Sequence, residues 1–137
     1  MLSPRVRWMM AAAALGLTAL LSVAAYLQPS SNGQGTHQQL GLPPCSVQMF
    51  LGIRCPVCGM TTAWSNLMQG RLIGAVRANF TGTLLGILAL LATPWLLACA
   101  IRGRYAGFTP QSDVMGSVAL ALMVLMLVEW GIRLAAG

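Results

Sequence analysis

The sequence predicts an all-α integral membrane protein with three transmembrane helices and a short pair of interfacial amphipathic helices. Three observations predict it. Only 7% of the 137 residues are charged and 57% are hydrophobic, whereas soluble domains carry roughly 25% charged residues and need them to present a solvated surface. Three stretches of about 20 residues run nearly free of charge, and at about 1.5 Å rise per residue each spans a hydrocarbon layer of about 30 Å. Between the first two lies the one long polar stretch, followed by apolar residues at spacings of three and four. No internal repeat and no second soluble domain is evident, so one membrane domain is expected.

Taken in order, residues 1–7 form a basic N-terminal segment with Arg5 and Arg7. Residues 8–27, from Trp8 to Leu27, form the first expected span, with Trp8 and Tyr26 at its two ends where interfacial aromatics are favoured. The small residues near Tyr26 also suit a cleaved signal peptide, but the apolar run exceeds a usual signal core, and a retained span is the expectation. Residues 28–59 are expected to form a polar loop carrying the cysteine motif. Its first part, "QPSSNGQGTHQQLGLPP", is rich in Pro, Ser, Gly and Gln and has no apolar period. Residues 60–79 are expected to form the interfacial helices. Met60, Ala63, Trp64, Leu67 and Met68 mark one face of the first, Gly70 stops it, and Leu72 to Ala78 make the second.

The second span is expected over residues 80–101. Gly82 and Gly86 stand four apart, a spacing that lets two helices approach closely, and Pro94 is expected to kink the helix by removing a backbone donor. Residues 102–113 make a short loop, with Ser112 or Asp113 expected to cap the next helix. The third span is expected over residues 114–134. Its one charge, Glu129, precedes Arg133 by four residues, the favourable order for a helical ion pair.

The formal net charge of +6 comes wholly from arginine. These arginines flank apolar runs singly or in pairs and are not interleaved with aromatics on a polar face. They read as anchors at the lipid bilayer, not as a nucleic-acid surface. Three spans place Arg5, Arg7, Arg102 and Arg104 on one side and Arg54, Arg71, Arg77 and Arg133 on the other, so a raw count does not orient the chain. The basic residues before the first span and the short arginine-bearing connection favour the first set inside. The cysteine segment is then extracytoplasmic in a multi-pass inner-membrane protein.

Four cysteines are present. Cys99 lies in an apolar run and reads as a small buried residue. Cys45, Cys55 and Cys58 fall together in the polar segment, the last two in "CPVCG". Gly59 in place of a histidine argues against covalent haem. A C-P-x-C-G turn suits a metal knuckle, with glycine accepting the left-handed conformation. Zinc takes four ligands, and His37, the sole histidine, is the candidate fourth, although a solvated loop residue is its plainer role. Copper(I), which favours soft sulfur, is the secondary choice of ion. The same thiols could form a structural disulfide that leaves one cysteine over. They could also exchange disulfides, because a helix expected to start just after Cys58, with Arg54 nearby, would favour its thiolate.

The string "CPVCGMTTAW…MQGRLIGAVRANF" resembles a bacterial family of small multi-pass membrane proteins, known as a domain of unknown function. The residues that carry the resemblance are Cys55, Pro56, Cys58, Gly59, Thr61, Gly70, Ala75 and Asn79, with Cys45 and Gly52 upstream, over about residues 44–91. This chain departs from the family pattern at Thr62, where an arginine is usual, and at Phe80, where a proline is usual. The resemblance implies a multi-pass membrane protein and supplies no activity.

The leading expectation is therefore a non-enzymatic membrane module. Its cysteines hold a metal ion, zinc before copper, or a disulfide at the membrane surface for a membrane-protein partner or a second copy. The alternatives are a membrane thiol–disulfide or metal-handling protein, and an accessory subunit of a larger membrane complex.

Overall fold

A computed structural model describes residues 1–136. Among the described residues every regular element is helical. Three helices are long and apolar enough to cross a membrane: α1 (Pro4–Tyr26), α5 (Phe80–Arg102) and α6 (Ser112–Ala135). Between α1 and α5 lie a 3₁₀ turn (Thr36–Leu40), then α2 (Ser46–Leu51), α3 (Met60–Met68) and α4 (Leu72–Ala78). The segment 28–59, read as loop, thus contains a turn and a six-residue helix. Helix α2 is too short to leave a periodic signal.

Helices α1 and α5 pack antiparallel. Near the start of α1, Leu2 N–H donates to the Gly103 carbonyl at 2.8 Å, and Arg7 Nε donates to the Ala100 carbonyl at 2.9 Å. The α5 C-terminus would otherwise leave these acceptors open. Small residues make the approach possible, with Ala14 and Ala24 of α1 and Ala89 and Ala100 of α5 all buried. The same end holds a clasp: Trp95 Nε1 donates to Ala106 O at 2.6 Å, and its ring stacks on Phe108 at 4.8 Å. Cys99 is fully buried here and accepts from Ala106 N–H, as a small core residue. Helix α5 runs continuously through Pro94.

At the opposite pole α3 and α4 fold against α1 and α5. Ala63, Ala75 and Ala78 form the small apolar centre of this layer, with Leu67 packed on it. The inward side of α3 takes only part of the apolar face marked by its periodicity, Ala63 and Leu67, and is otherwise polar. Thr62, Ser65 and Asn66 are buried beside Ala63, whereas Met60, Trp64 and Met68 are half-buried. The reason is what α3 meets. Ser65 Oγ and Gln69 Nε2 both donate to the Leu27 carbonyl just past α1, so the polar side of the helix satisfies a backbone acceptor that an aliphatic side chain would leave open. The Gly82/Gly86 spacing brings two helices close, and the helix it brings to α5 is α3. A Cβ at Gly86 would lie 2.8 Å from Leu67 Cδ2 and 3.2 Å from Trp64 Nε1, and Trp64 Nε1 donates to Gly82 O at 2.8 Å. The glycines admit α3.

Helix α6 buries none of its residues. It begins at Ser112 with Gln111 as its cap residue, and neither Ser112 nor Asp113 caps it; Ser112 Oγ hydrogen-bonds to the Asp113 carboxylate instead. The accessible surface of the whole chain is 8888 Å², where a compact soluble chain of this mass would expose about 6,800 Å². The excess lies in apolar helix flanks such as Leu120, Val124 and Leu127, which a bilayer covers.

Candidate metal centre

The Sγ atoms of Cys45, Cys55 and Cys58 lie within 4.8 Å of one another. They reach this place from two directions. Cys45 is the residue preceding α2, and Cys55 and Cys58 flank the tight turn before α3. The turn closes with Cys58 N–H donating to Cys55 O at 3.0 Å, and Ala63 N–H then donates to Gly59 O at 2.7 Å to open α3.

Gly59 is required twice over. Its φ of +88° is a left-handed conformation that costs other residues about 1–2 kcal/mol. A Cβ there would also stand 2.4 Å from Ala78 O and 2.7 Å from Gly33 O, both of them backbone atoms. The cysteine turn is thus seated directly on the polar loop and on the end of α4.

Asn79 holds the turn from behind. It is fully buried. Its Oδ1 accepts from Gly82 N–H at 2.6 Å and so caps α5, while its Nδ2 donates to Cys58 O at 3.2 Å and Pro56 O at 3.4 Å. One side chain therefore sets both the start of a span and the path of the motif. From α6, Arg133 donates to Cys58 O at 3.3 Å and to Ala78 O at 3.0 Å, and Trp130 Nε1 donates to Arg54 O at 2.6 Å. Glu129 pairs with Arg133 as its spacing predicts. It also accepts from Phe80 N–H at 2.8 Å, Thr81 N–H at 2.9 Å and Thr81 Oγ1 at 2.7 Å. The sequence showed the ion pair and missed its reach. The available signal was parity: three spans return the end of α6 to the side of the cysteines.

Both departures from the family pattern have a place in this network. Phe80 has the N–H that a proline would lack, and Glu129 accepts from it. Thr62 is buried, and its Oγ1 lies 2.7 Å from Thr36 Oγ1, which in turn accepts from Ser30 N–H. That chain pins the polar loop to α3 and accounts for the polarity of Thr62.

A cavity of about 590 Å³ opens beside the sulfurs, with Cys45 and Cys58 in its wall. His37 lines the same cavity but is outside the three-sulfur group. Its Nε2 lies 3.3 Å from the Pro43 carbonyl oxygen. Thr61 is also in the wall, and Gly70 ends the turn after α3 with φ +72°.

The thiols differ in acidity. Cys45 is lowered below its ordinary value, first by the Gln48 backbone amide at the start of α2. Cys58 is pushed up to about 11, first by burial and then by the neighbouring sulfurs. This reverses the expectation of a favoured Cys58 thiolate. The turn that sets Cys58 before α3 also takes it out of water, and desolvation wins.

The arrangement suits a thiophilic ion. Three sulfurs no more than 4.8 Å apart leave a central point at most about 2.8 Å from each, so each need move by no more than about 0.5 Å to reach the zinc–sulfur distance of about 2.3 Å. A disulfide would use two of the three and leave the third in contact with it.

The model of a family described as "Protein of unknown function (DUF2752)" matches residues 45–93. The match takes in Cys45, the C-P-x-C-G turn, Asn79 and the first half of α5. No curated protein and no solved structure matches the chain.

Proposed function

We propose that this chain is a non-enzymatic membrane module that binds zinc through Cys45, Cys55 and Cys58 at the membrane surface. The observation that supports it is the convergence of three sulfurs from two separate segments within 4.8 Å. In this reading the metal ties α2 and its loop to the turn before α3, and so orders the surface between α1 and α5. The basic residues Arg5 and Arg7 at the start of α1 and the short Arg102–Arg104 connection support a cysteine pole outside the cytoplasm of an inner-membrane protein. Helix α6, with no buried residue, is the surface offered to a membrane-protein partner or a second copy.

A second reading is thiol–disulfide exchange. It is favoured by the lowered pKa of Cys45 beside Cys55 and Cys58: all three are free thiols here, and oxidation of Cys55 and Cys58 would set an attacking thiol against a disulfide. The test is an intact-mass thiol count on protein purified without reductant, with and without chelator, together with elemental analysis. One equivalent of zinc, and three thiols that react only after chelation, is the expected result. Two thiols that open only with reductant, and no metal, would replace the metal reading with the disulfide one.

A further inference from the structure

Zinc takes four ligands, and the group of sulfurs provides three. The open position has a direction. Cys45 and Cys58 form part of the wall of the 590 Å³ cavity and Cys55 does not, so an ion held by all three sits at that wall with its free side toward the cavity. This volume is in the range of sites for small organic ligands, about 300–1,000 Å³.

The wall is a built surface. Gly59 packs against the Ala78 and Gly33 carbonyls with no room for a Cβ, and the buried Thr36–Thr62 hydrogen bond fixes the loop opposite. Apart from His37 and the two cysteines its polar side chains are amides and hydroxyls, with Asn32, Gln34, Gln38 and Gln48 among them, and it contains no carboxylate and no arginine. Amides hydrogen-bond to ammonium and carboxylate alike and select neither a simple anion nor a simple cation. The only other side chain in the wall that commonly ligates zinc, His37, stands outside the three-sulfur group.

We propose that the fourth ligand comes from outside: a low-molecular-weight thiol with an amino-acid-like body, its sulfur on the metal and its polar groups on the amide wall. As the sulfur–metal bond forms, the thiol proton leaves to solvent, and any water on the ion is displaced. The extra negative charge is tolerable at a pole with Arg54, Arg71, Arg77 and Arg133 against the single acid Glu129. The inference rests on the metal reading and adds its ligand class. Soft sulfur is the donor that suits a site already made of thiolates.

The experiment uses the full-length reduced protein in detergent, loaded with cobalt(II) as a coloured stand-in for zinc and titrated with glutathione, L-cysteine or ethanethiol. The expected result is a rise in sulfur-to-cobalt charge-transfer intensity by about one third, from three thiolates to four, with cobalt remaining on the protein through gel filtration. Glutathione or cysteine should bind at least about tenfold tighter than ethanethiol. Asn32→Ala and Gln48→Ala should each shrink that preference. A cobalt spectrum that none of the thiols changes would overturn the proposal and leave the metal site standing. So would loss of the four-coordinate spectrum in His37→Ala, or removal of cobalt by the thiol. Failure of the protein to bind cobalt at all would take down both readings.

Discussion

The two poles of the molecule carry the same number of arginines and use them differently. At the pole formed by the start of α1 and the end of α5, Arg7 caps the α5 carbonyls and Trp95 clasps the following loop. These contacts end helices and hold two spans together. At the other pole Arg133 donates to the carbonyls of Cys58 and Ala78, and Asn79 donates to those of Cys58 and Pro56. There the hydrogen bonds shape a turn whose free groups are thiols. Equal charge therefore says little about where the chemistry lies. What separates the poles is a layer of buried polar side chains, Thr36, Thr62, Ser65 and Asn79, present at one and not needed at the other.

The sharpest way to break this contrast is at its glycines. Gly59 and Gly103 both have positive φ, +88° and +66°. An added Cβ at Gly59 meets backbone oxygens, whereas at Gly103 it meets only the Arg7 side chain at 3.6 Å. Gly59→Ala is expected to cost about 2–4 kcal/mol and to abolish metal binding, because the turn must leave its seat. Loss of one equivalent of bound zinc and a lower melting temperature in detergent are the readouts. Retention of full metal affinity would show that the turn is not held as described.

Acidity gives the next largest effect. Cys58, at about 11, is protonated across the neutral range, so a metal must displace its proton. The apparent affinity should rise with pH by at least about one decade per pH unit between pH 6 and 8. The sign for the metal-free protein is opposite. A thiol whose folded pKa lies above the unfolded value of 9.0 contributes stability that is present below pH 9 and lost as pH rises toward 11. Zinc competition titrations and thermal melts at stepped pH check the two arms. An affinity independent of pH would mean that Cys58 is not a ligand.

Asn79 separates the two tasks of one side chain. Asn79→Ala removes the cap and both donors and is expected to weaken zinc binding about 10–100-fold, as loss of a supporting partner does. Asn79→Asp keeps an acceptor for Gly82 N–H and loses the donors to the motif. It should recover most of the stability lost in Asn79→Ala and little of the affinity. Glu129→Ala comes next. It leaves the Phe80 and Thr81 amides without their acceptor and should cost about 2–3 kcal/mol, with a change in zinc affinity below about tenfold, since it acts through Arg133.

How much of this the sequence showed depends on the range of each interaction. The three spans follow from uncharged length, a property of contiguous residues, and Cys55 with Cys58 from local spacing. The face that α3 turns inward is visible in part: Ala63 and Leu67 of the apolar stripe do pack inward, but periodicity does not show that Ser65 beside them meets the Leu27 carbonyl. His37 is a candidate fourth ligand only as the sole imidazole, with a solvated loop residue as its plainer role; the structure places it in the wall of the cavity beside the sulfurs, and composition alone does not show where a loop carries it. The grip of Arg133 on Cys58 joins positions 75 residues apart, and no spacing rule reaches that far.

The smallest effect is expected at the pole without thiols, and it is the control for all the others. Arg7→Ala removes the donors to the Ala100 and Ile101 carbonyls at 2.9 and 3.4 Å. These acceptors lie at the end of α5, where water or headgroups can replace the lost partner, so the cost should be about 1 kcal/mol. Zinc affinity should not change, because α1 touches the cysteine pole through Leu27, at its other end. Melting in detergent and zinc competition on the same preparation measure both quantities. If Arg7→Ala weakened zinc binding as much as Asn79→Ala does, the α1–α5 pair would be transmitting strain along its whole length. The two poles would then have to be treated as one cooperative unit.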